Sequence, residues 1–373
     1  MKILFVQKKM SEMGGSEKQM DQIFSEISKY SDSYFWSDSI SENLFPDLIT
    51  SSNFLLSHGK QTKSRTLSWI INLSQNLKKL KPDIVYTRDS SRIWFYFILS
   101  KIFDFNLVWG VNHKITNLPI NLSDCLGRLH KYSKSRNSFA YWVITSYFLN
   151  LLLSRIKLIS NTTRDADFCK KRGLDFRFIL TGHKRPSINI SKDQPPTIIS
   201  LGGIQRRHSK RPHILPLLAE KMQDLDVNFF LAGSRDAGTL YQAFFDKKSK
   251  ELKNFTFLGP LDNSQALKLI SRSMIYVNGD SASSMSNAII EAWMLKTLVV
   301  VTSEEANPES YLKEKNLVKY CKLPFLEKEI RHLLENSQKT EEVVKKAYKF
   351  STDRLVIEKT TKEIYNYFVQ VNK

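Results

Sequence analysis

Short apolar runs alternate along the chain with stretches whose apolar residues recur every three or four positions, which predicts strands and helices in turn. Lys2–Gln7 (KILFVQ) reads as a buried strand leading through Met13-Gly14-Gly15 into a helix that opens near Ser16. Ser16-Glu17-Lys18-Gln19 fits a capping box, and Met20, Ile23, Phe24 and Ile27 follow at helical spacing. Ile84–Thr87, Leu107–Val111 and Lys157–Ser160 read as further strands. The polar, proline-bearing stretch Ser187–Pro196 (SINISKDQPP) then interrupts the pattern. A second series follows: Thr197–Leu201, Val227–Ala232, Thr256–Leu258, Met274–Val277 and Leu298–Thr302. Strands alternating with helices imply parallel sheets. The expected fold is therefore α/β, with two doubly wound Rossmann-like domains facing across a cleft. Residues 1–190 form the first domain and residues 191–350 the second. About Thr352–Val371 reads as an amphipathic helix with Val356, Ile357, Ile364 and Phe368 available to pack. Residues 351–373 are expected to carry it back to the first domain.

One charge stands out against this pattern. Glu291 is the only charged residue in the run Ala288-Ile289-Ile290-Glu291-Ala292-Trp293-Met294-Leu295. Helical spacing puts it on one stripe with Ala288, Ala292 and Leu295, and an ionised carboxylate is costly to bury without a partner. It is either a helix-edge group reaching water or a carboxylate at a cleft mouth that receives a ligand's hydroxyls. The strand, Gly/Ser-rich loop and helix of Met274–Thr302 favour the second reading, because open α/β sheets bind ligands at strand C-termini.

Composition narrows the class. The chain has 373 residues, 42% of them hydrophobic, enough for two buried cores. Its three cysteines, Cys125, Cys169 and Cys321, are widely spaced and form no CxxC pair, which argues for a reducing, cytoplasmic setting and against a disulfide framework or a zinc site. The N-terminal apolar run is too short for a signal peptide, and no segment reaches the ~18 apolar residues of a spanning helix. Phe139–Leu153 comes nearest; it reads as a domain helix, with a membrane-surface helix as the alternative. The net charge is +19, and residues 1–200 hold 29 Lys and Arg against 16 Asp and Glu. A basic first half implies a polyanionic neighbour, a phosphate-bearing substrate, an anionic membrane face or nucleic acid, and charge alone does not choose among them. Neither a zinc finger nor a basic recognition helix points to nucleic acid.

Several residue groups suit phosphate and sugar chemistry. Gly202-Gly203 closes a strand and lets backbone approach a ligand. Arg206, Arg207, Lys210 and Arg211 follow within a few residues, a group suited to a diphosphate, although a solvated basic turn has the same composition. Gly14-Gly15 precedes a helix whose N-terminus could face an anion. His113, just after the strand Leu107–Val111, is a candidate polar catalytic group. Asp165-Ala166-Asp167 has the look of a metal-binding pair, but it sits at a helix start where acids are favoured by the dipole, and no metal site is expected.

Together these segments resemble a retaining glycosyltransferase of the GT-B fold, in the large family-four group (glycosyl transferases group 1) that builds bacterial surface polysaccharides. The resemblance covers nearly the whole chain. It is carried by Leu201-Gly202 to Lys210-Arg211-Pro212, Phe229–Gly233, Phe257-Leu258-Gly259, Asn287–Trp293 and Ala306–Glu309, in the family's order. Gly14–Glu17 and Lys81–Val85 are also typical.

The resemblance implies that Glu291 accepts the ribose hydroxyls of a nucleotide-sugar. Lys210 with Arg206 or Arg207 would hold the diphosphate and stabilise the leaving group. Ser284, Met285 and Asn287 would offer backbone amides, Gly203 and Gly233 would line the donor, and Gly15 would approach the diphosphate from the other domain. His113 would sit near the transferred sugar. It further implies transfer with retention to a saccharide or lipid-linked acceptor at the inner face of a membrane, with no metal or other cofactor. The family pattern places an acid eight residues before Glu291, where this chain has Ser283; Asp280 lies nearby. Two alternatives follow: a degenerate member that binds the nucleotide-sugar without turnover, and a nucleotide-sugar epimerase built on the same fold.

Overall fold

The structure, a computed structural model, describes residues 1–10, 15–41, 45–51, 53–56, 66–89, 92–111, 152–202, 211–233, 240–279, 286–303 and 315–373. Expectations for His113, Cys125, Gly203, Arg206, Arg207, Lys210, Ser283, Ser284 and Met285, and for nearly all of Phe139–Leu153, lie outside the described residues.

The described chain runs β1 Lys2–Met10, α1 Gly15–Ile27, β2 Asp32–Ile40, α2 Pro46–Thr50, β3 Phe54–Leu56, α3 Thr66–Leu80, β4 Ile84–Thr87 and α4 Ile93–Phe103. Then come β5 Asn106–Val111, β6 Lys157–Ser160, α5 Thr163–Lys171, β7 Phe176–Phe178, β8 Thr197–Leu201, α6 Ile214–Lys221 and β9 Asn228–Ala232. It continues with α7 Leu240–Glu251, β10 Phe255–Gly259, α8 Asn263–Arg272, β11 Ile275–Asn278, α9 Asn287–Met294, β12 Leu298–Ser303 and β13 Lys319–Lys322. The last helices are α10 Leu326–Glu335, α11 Ser337–Arg354 and α12 Ile357–Val371. The chain divides into two compact units, Met1–Gly182 with Ile357–Lys373, and His183–Val356.

The first unit is a seven-stranded parallel sheet of order β3-β2-β1-β4-β5-β6-β7. Strand direction of travel reverses between β1 and β4, so helices cover both faces. One face buries Trp69, Leu73 and Leu77 of α3 and Tyr96 and Leu99 of α4 against Val6, Trp36, Val85 and Trp109. The other buries Met20, Phe24 and Ile27 of α1 and Ile364, Tyr367 and Phe368 of α12 against Ile3, Phe5, Tyr86 and Val108. Where the chain leaves this unit, Gly182 has no room for a side chain: a Cβ there would lie 1.9 Å from Thr360 Oγ1 and 2.9 Å from Ile357 Cα.

The second unit is a six-stranded parallel sheet of order β10-β9-β8-β11-β12-β13, reversing between β8 and β11. Leu215 and Leu218 of α6, Phe245 of α7, Ile330 of α10 and Val343 of α11 pack with Ile198, Phe229 and Val300. Lys192, in the segment that enters β8, is fixed by donation to Ser273 O at 2.7 Å, Leu295 O at 3.2 Å and Thr297 Oγ1 at 2.9 Å. Ser273 and Leu295 are the C-caps of α8 and α9, so one ammonium ties the entering segment to two helix ends.

Burial lowers the Lys192 ammonium from its ordinary value to about 8. Below pH 8 both folded and unfolded chains hold the proton and the burial cost is constant. Between about 8 and the unfolded value of 10.5 the folded chain has released a proton that the unfolded chain keeps, so stability rises with pH. Urea unfolding at pH 8 and pH 10 should show the wild type gaining on Lys192→Met across this window; equal changes in the two proteins would contradict it.

Two local expectations are corrected. The final amphipathic stretch is not one helix: α11 ends at Arg354 and α12 starts at Ile357. Leu355 O accepts from His183 N at 2.8 Å and Val356 pairs with His183 as a parallel bridge, so these residues serve extended pairing instead. Ser16 lies inside α1, which opens at Gly15, and Gln19 Oε1 accepts from Arg88 Nη1. A full capping box occurs at α8, between Asp262 and Gln265.

Candidate functional site

The sheet reversal of the second unit places the ends of β8 and β11 side by side, the position at which doubly wound sheets open a crevice. Glycines finish several of these strands. Gly202 N donates to Ala232 O at 3.1 Å and Gly233 N to Gly259 O at 2.9 Å, extending the ladder past the strand ends. Gly259 adopts a φ of 73°, a left-handed conformation that suits glycine. Tyr276 Oη donates to Leu201 O at 3.3 Å and holds the end of β8 against β11.

After β11 the chain enters α9, whose N-cap Ser286 accepts from Ile289 N at 3.4 Å. Most of α9 is buried: Ile289, Ile290, Ala292, Trp293 and Met294 are all in the interior. Asn287, Ala288 and Glu291 remain half-buried, and their spacing makes them one open strip at the helix start. Ala292 and Leu295, which share the Glu291 stripe by periodicity, are buried. The Glu291 side chain is 12% exposed and its Oε1 lies 3.9 Å from His183 Nδ1, an ion-pair distance when the imidazole is protonated. His183 is itself buried and held by its backbone pairing to Leu355 and Val356. The site thus pairs a helix N-terminus, suited to phosphate oxygens, with a carboxylate one turn inside, suited to hydroxyl donors.

The helix also ends tightly. Lys296 N donates to Trp293 O at 3.1 Å and Thr297 N to Ala292 O at 2.8 Å, the two bonds of a Schellman stop. Lys296 takes a φ of 53° there, a position usually given to glycine, and its ammonium lies over the Tyr348 ring at 4.9 Å.

In the first unit Gly15 opens α1 beyond β1, at the reversal between β1 and β4. Arg88, just past β4, is buried and donates to Gln19; burial pushes its guanidinium below the ordinary value and the Tyr86 phenol above its own. Arg88, Gln19, Asn161 and Thr181 line a cavity of ≈ 30 Å³. Gly110 completes its wall, where a Cβ would lie 2.4 Å from Tyr86 Oη. Neither Arg88 nor His183 was singled out by sequence. Each earns its place through partners far along the chain.

The Asp165-Ala166-Asp167 stretch behaves as a helix start. Thr162 Oγ1 accepts from Asp165 N at 3.1 Å and donates to Asp165 Oδ2 at 3.0 Å, while Asp167 is exposed on another side. Among the described residues no cluster of three or more His, Cys, Asp or Glu could hold a metal. Burial pushes the Cys169 thiol up to about 12 and that of Cys321 to about 11, which leaves both as thiols at neutral pH.

Residues 195–336 match the family model described as Glycosyl transferases group 1. That span holds β8 to α10, and so Glu291 and the strand ends around it, while His183 lies before it. No curated protein matches the chain in sequence. Solved structures match it along its length. HepE from Anabaena, in complex with UDP and glucose, aligns with a TM-score of 0.70 at 15% identity over 99% of this chain and 100% of that one. Sucrose-phosphate synthase from Thermosynechococcus elongatus aligns at 0.74 with 14% identity over 99% and 98%. The UDP-GlcNAc 2-epimerase of Neisseria meningitidis, bound to UDP-GlcNAc, aligns at 0.65 with 12% identity over 99% and 100%. The fold is GT-B, two Rossmann-like α/β domains with parallel sheets, as the alternation of strands and helices leads one to expect.

Proposed function

We propose that the protein is a glycosyltransferase that moves a sugar from a nucleoside-diphosphate sugar to a saccharide or lipid-linked acceptor, with retention. The observation that carries this reading is Glu291, held 3.9 Å from His183 on the half-open strip of α9, inside the segment matched by the Glycosyl transferases group 1 model. HepE in complex with UDP and glucose supports a uridine nucleotide as the first donor to try.

In this reading Glu291 accepts two ribose hydroxyls, and the start of α9 with Asn287 and the preceding Ser284 and Met285 contributes N–H donors to phosphate or sugar. Lys210, Arg206 and Arg207 neutralise the diphosphate as it leaves, with Gly203 and Gly233 allowing close backbone approach. Gly15 is the glycine proposed for close backbone approach to a diphosphate, and His113 the polar group proposed for the transferred sugar. The acceptor hydroxyl attacks C1 on the face that the nucleoside diphosphate departs, C1–O to the phosphate breaks, and the acceptor proton passes to the leaving phosphate oxygen. Fixed cations and amide dipoles supply the transition-state stabilisation, with no metal called for. The work is cytoplasmic, at the inner face of a membrane on which surface polysaccharide is assembled.

The test is turnover of a panel of nucleotide-sugars, followed as released nucleoside diphosphate, with and without saccharide and polyprenyl-phosphate-linked acceptors. Acceptor-dependent release supports transfer. Conversion of the nucleotide-sugar to its C2 epimer without acceptor dependence, either with the nucleotide retained or with water releasing it, would instead support an epimerase, the activity named for the Neisseria meningitidis protein of like fold. Tight nucleotide binding without turnover, even in Ser283→Glu, would identify a binding protein.

A further inference from the structure

Helix α4 exposes the wrong residues for a water-facing surface. Its sequence is IWFYFILSKIF; Ile93, Tyr96, Leu99 and Ser100 are buried against the sheet. The positions left exposed are Trp94, Ile98, Lys101 and Ile102. Trp94 is 44% exposed, Ile98 45% and Ile102 65%. A spacing of four aligns these three in one stripe of roughly 12 Å along the helix. Ile71 of α3, the helix packed beside α4 on the same sheet face, is 55% exposed. Single exposed apolar residues are ordinary on soluble proteins, but a stripe running the length of a helix is not.

The register places a ring of cations at one end of that stripe. Lys78 and Lys79 close α3, Lys101 lies in the last turn of α4, Lys81 precedes β4 and Lys2 opens β1. The pairs Ile3↔Ile84 and Ile84↔Asn106 put the starts of β1, β4 and β5 at one sheet edge, so these five exposed lysines gather there. Asp32, Asp83 and Asp104 are the acids interspersed among them; Asp32 pairs in register with Lys2, and Asp83 accepts from Lys2 N. Lysines in last helical turns also complement the helix dipole, which accounts for three of them but not for the apolar stripe.

We propose that the α3–α4 face of the first unit docks on an anionic lipid surface, with Trp94, Ile98 and Ile102 seated among the headgroups and the lysines on lipid phosphates. Tryptophan and branched aliphatic residues suit the interfacial zone, and each lysine near an anionic leaflet adds attraction. A nucleic acid fits poorly, because the centre of the patch is apolar. A second copy offers the same lysines and brings no opposite charge to them, whereas an anionic leaflet does. The surface lies at the strand-start edge and on one sheet face, apart from the strand ends that carry Gly15 and Arg88. This proposal specifies the membrane contact of the function proposed above, and vesicle binding needs no turnover, so either can fail while the other stands.

The experiment is co-sedimentation of the full chain with phosphatidylcholine vesicles, with and without phosphatidylglycerol. The wild type should bind the phosphatidylglycerol vesicles, less so in high salt. Ile98→Glu with Ile102→Glu should weaken binding about tenfold or more, and Lys78→Ala with Lys79→Ala should weaken it about tenfold. All four positions are exposed, so thermal melting should be nearly unchanged and serves as the folding control. Failure of the wild type to bind either vesicle, or undiminished binding by the Ile98→Glu/Ile102→Glu protein, overturns the proposal. So does a wild-type dimer in sedimentation velocity that this double variant makes monomeric, because the occupant is then a second copy.

Discussion

Glu291→Ala is expected to lower kcat/KM for the nucleotide-sugar donor by about a hundredfold, because two hydroxyl donors lose a charged acceptor worth about 1.5–3 kcal/mol each at most. The loss should fall mainly on KM if the carboxylate holds the ribose equally in ground and transition states. Glu291→Gln keeps the volume and a carbonyl acceptor but no charge, so its loss should be smaller, about tenfold. Because Glu291 is only 12% exposed on a helix otherwise packed in the interior, the measurement is paired with thermal melting of each variant. Donor kinetics unchanged in a folded Glu291→Ala protein would remove this residue from the site. His183 is a buried neighbour of the carboxylate, its Nδ1 3.9 Å from Glu291 Oε1.

The second large effect is on stability. Trp293 is fully buried on α9 and its ring meets Phe350 of α11 edge-on, with centroids 6.1 Å apart at 86°. Trp293→Ala should cost about 3–5 kcal/mol, the lost transfer of a large side chain plus the cavity left behind. In a unit of this size that corresponds to a melting temperature lower by roughly 10 °C. Trp293→Phe should cost far less, about 1 kcal/mol, for a specific reason. The indole Nε1 is buried with no hydrogen-bond partner among the described residues, so its removal gives back a desolvation penalty that offsets part of the lost volume. Equal destabilisation by the two substitutions would contradict this offset.

Strands whose faces are both buried were legible because burial on two faces demands continuous apolar runs. Ile84–Thr87, Lys157–Ser160 and Thr197–Leu201 have the bounds their sequences suggest, and β1, β5, β9, β11 and β12 differ only at their ends, as does β10, which is buried on one face alone. β2 escaped notice because DSYFWSDSI carries serines at Ser33 and Ser37 that are wholly buried. Their hydroxyls are satisfied locally, Ser37 Oγ by Ser39 O at 2.9 Å and Ser33 Oγ by Ser31 Oγ at 2.7 Å, so the polar residues cost little inside. β13 (KYCK) has too few apolar residues to read as a strand and gains its place by pairing with β12 at the sheet edge.

Sequence by itself determined the α/β class, the strand-end position of the Glu291 helix and the oddity of a carboxylate among apolar residues, since these follow from periodicity and from the cost of burying charge. It also supplied the order of motifs that the Glycosyl transferases group 1 match covers in the second half. Only the tertiary structure decided which groups meet. His183 reaches Glu291 from the segment that leaves the first unit's strands, and Arg88 reaches Gln19 across a separation of 69 residues. Gly182 has no room for a side chain because of Thr360 and the backbone of Ile357 in α12, and a Cβ at Gly110 would press on Tyr86 of the neighbouring strand. The physical reason is that periodicity records which face of an element is buried, whereas the partner waiting on that face is set by sheet order and crossover, which no local pattern encodes.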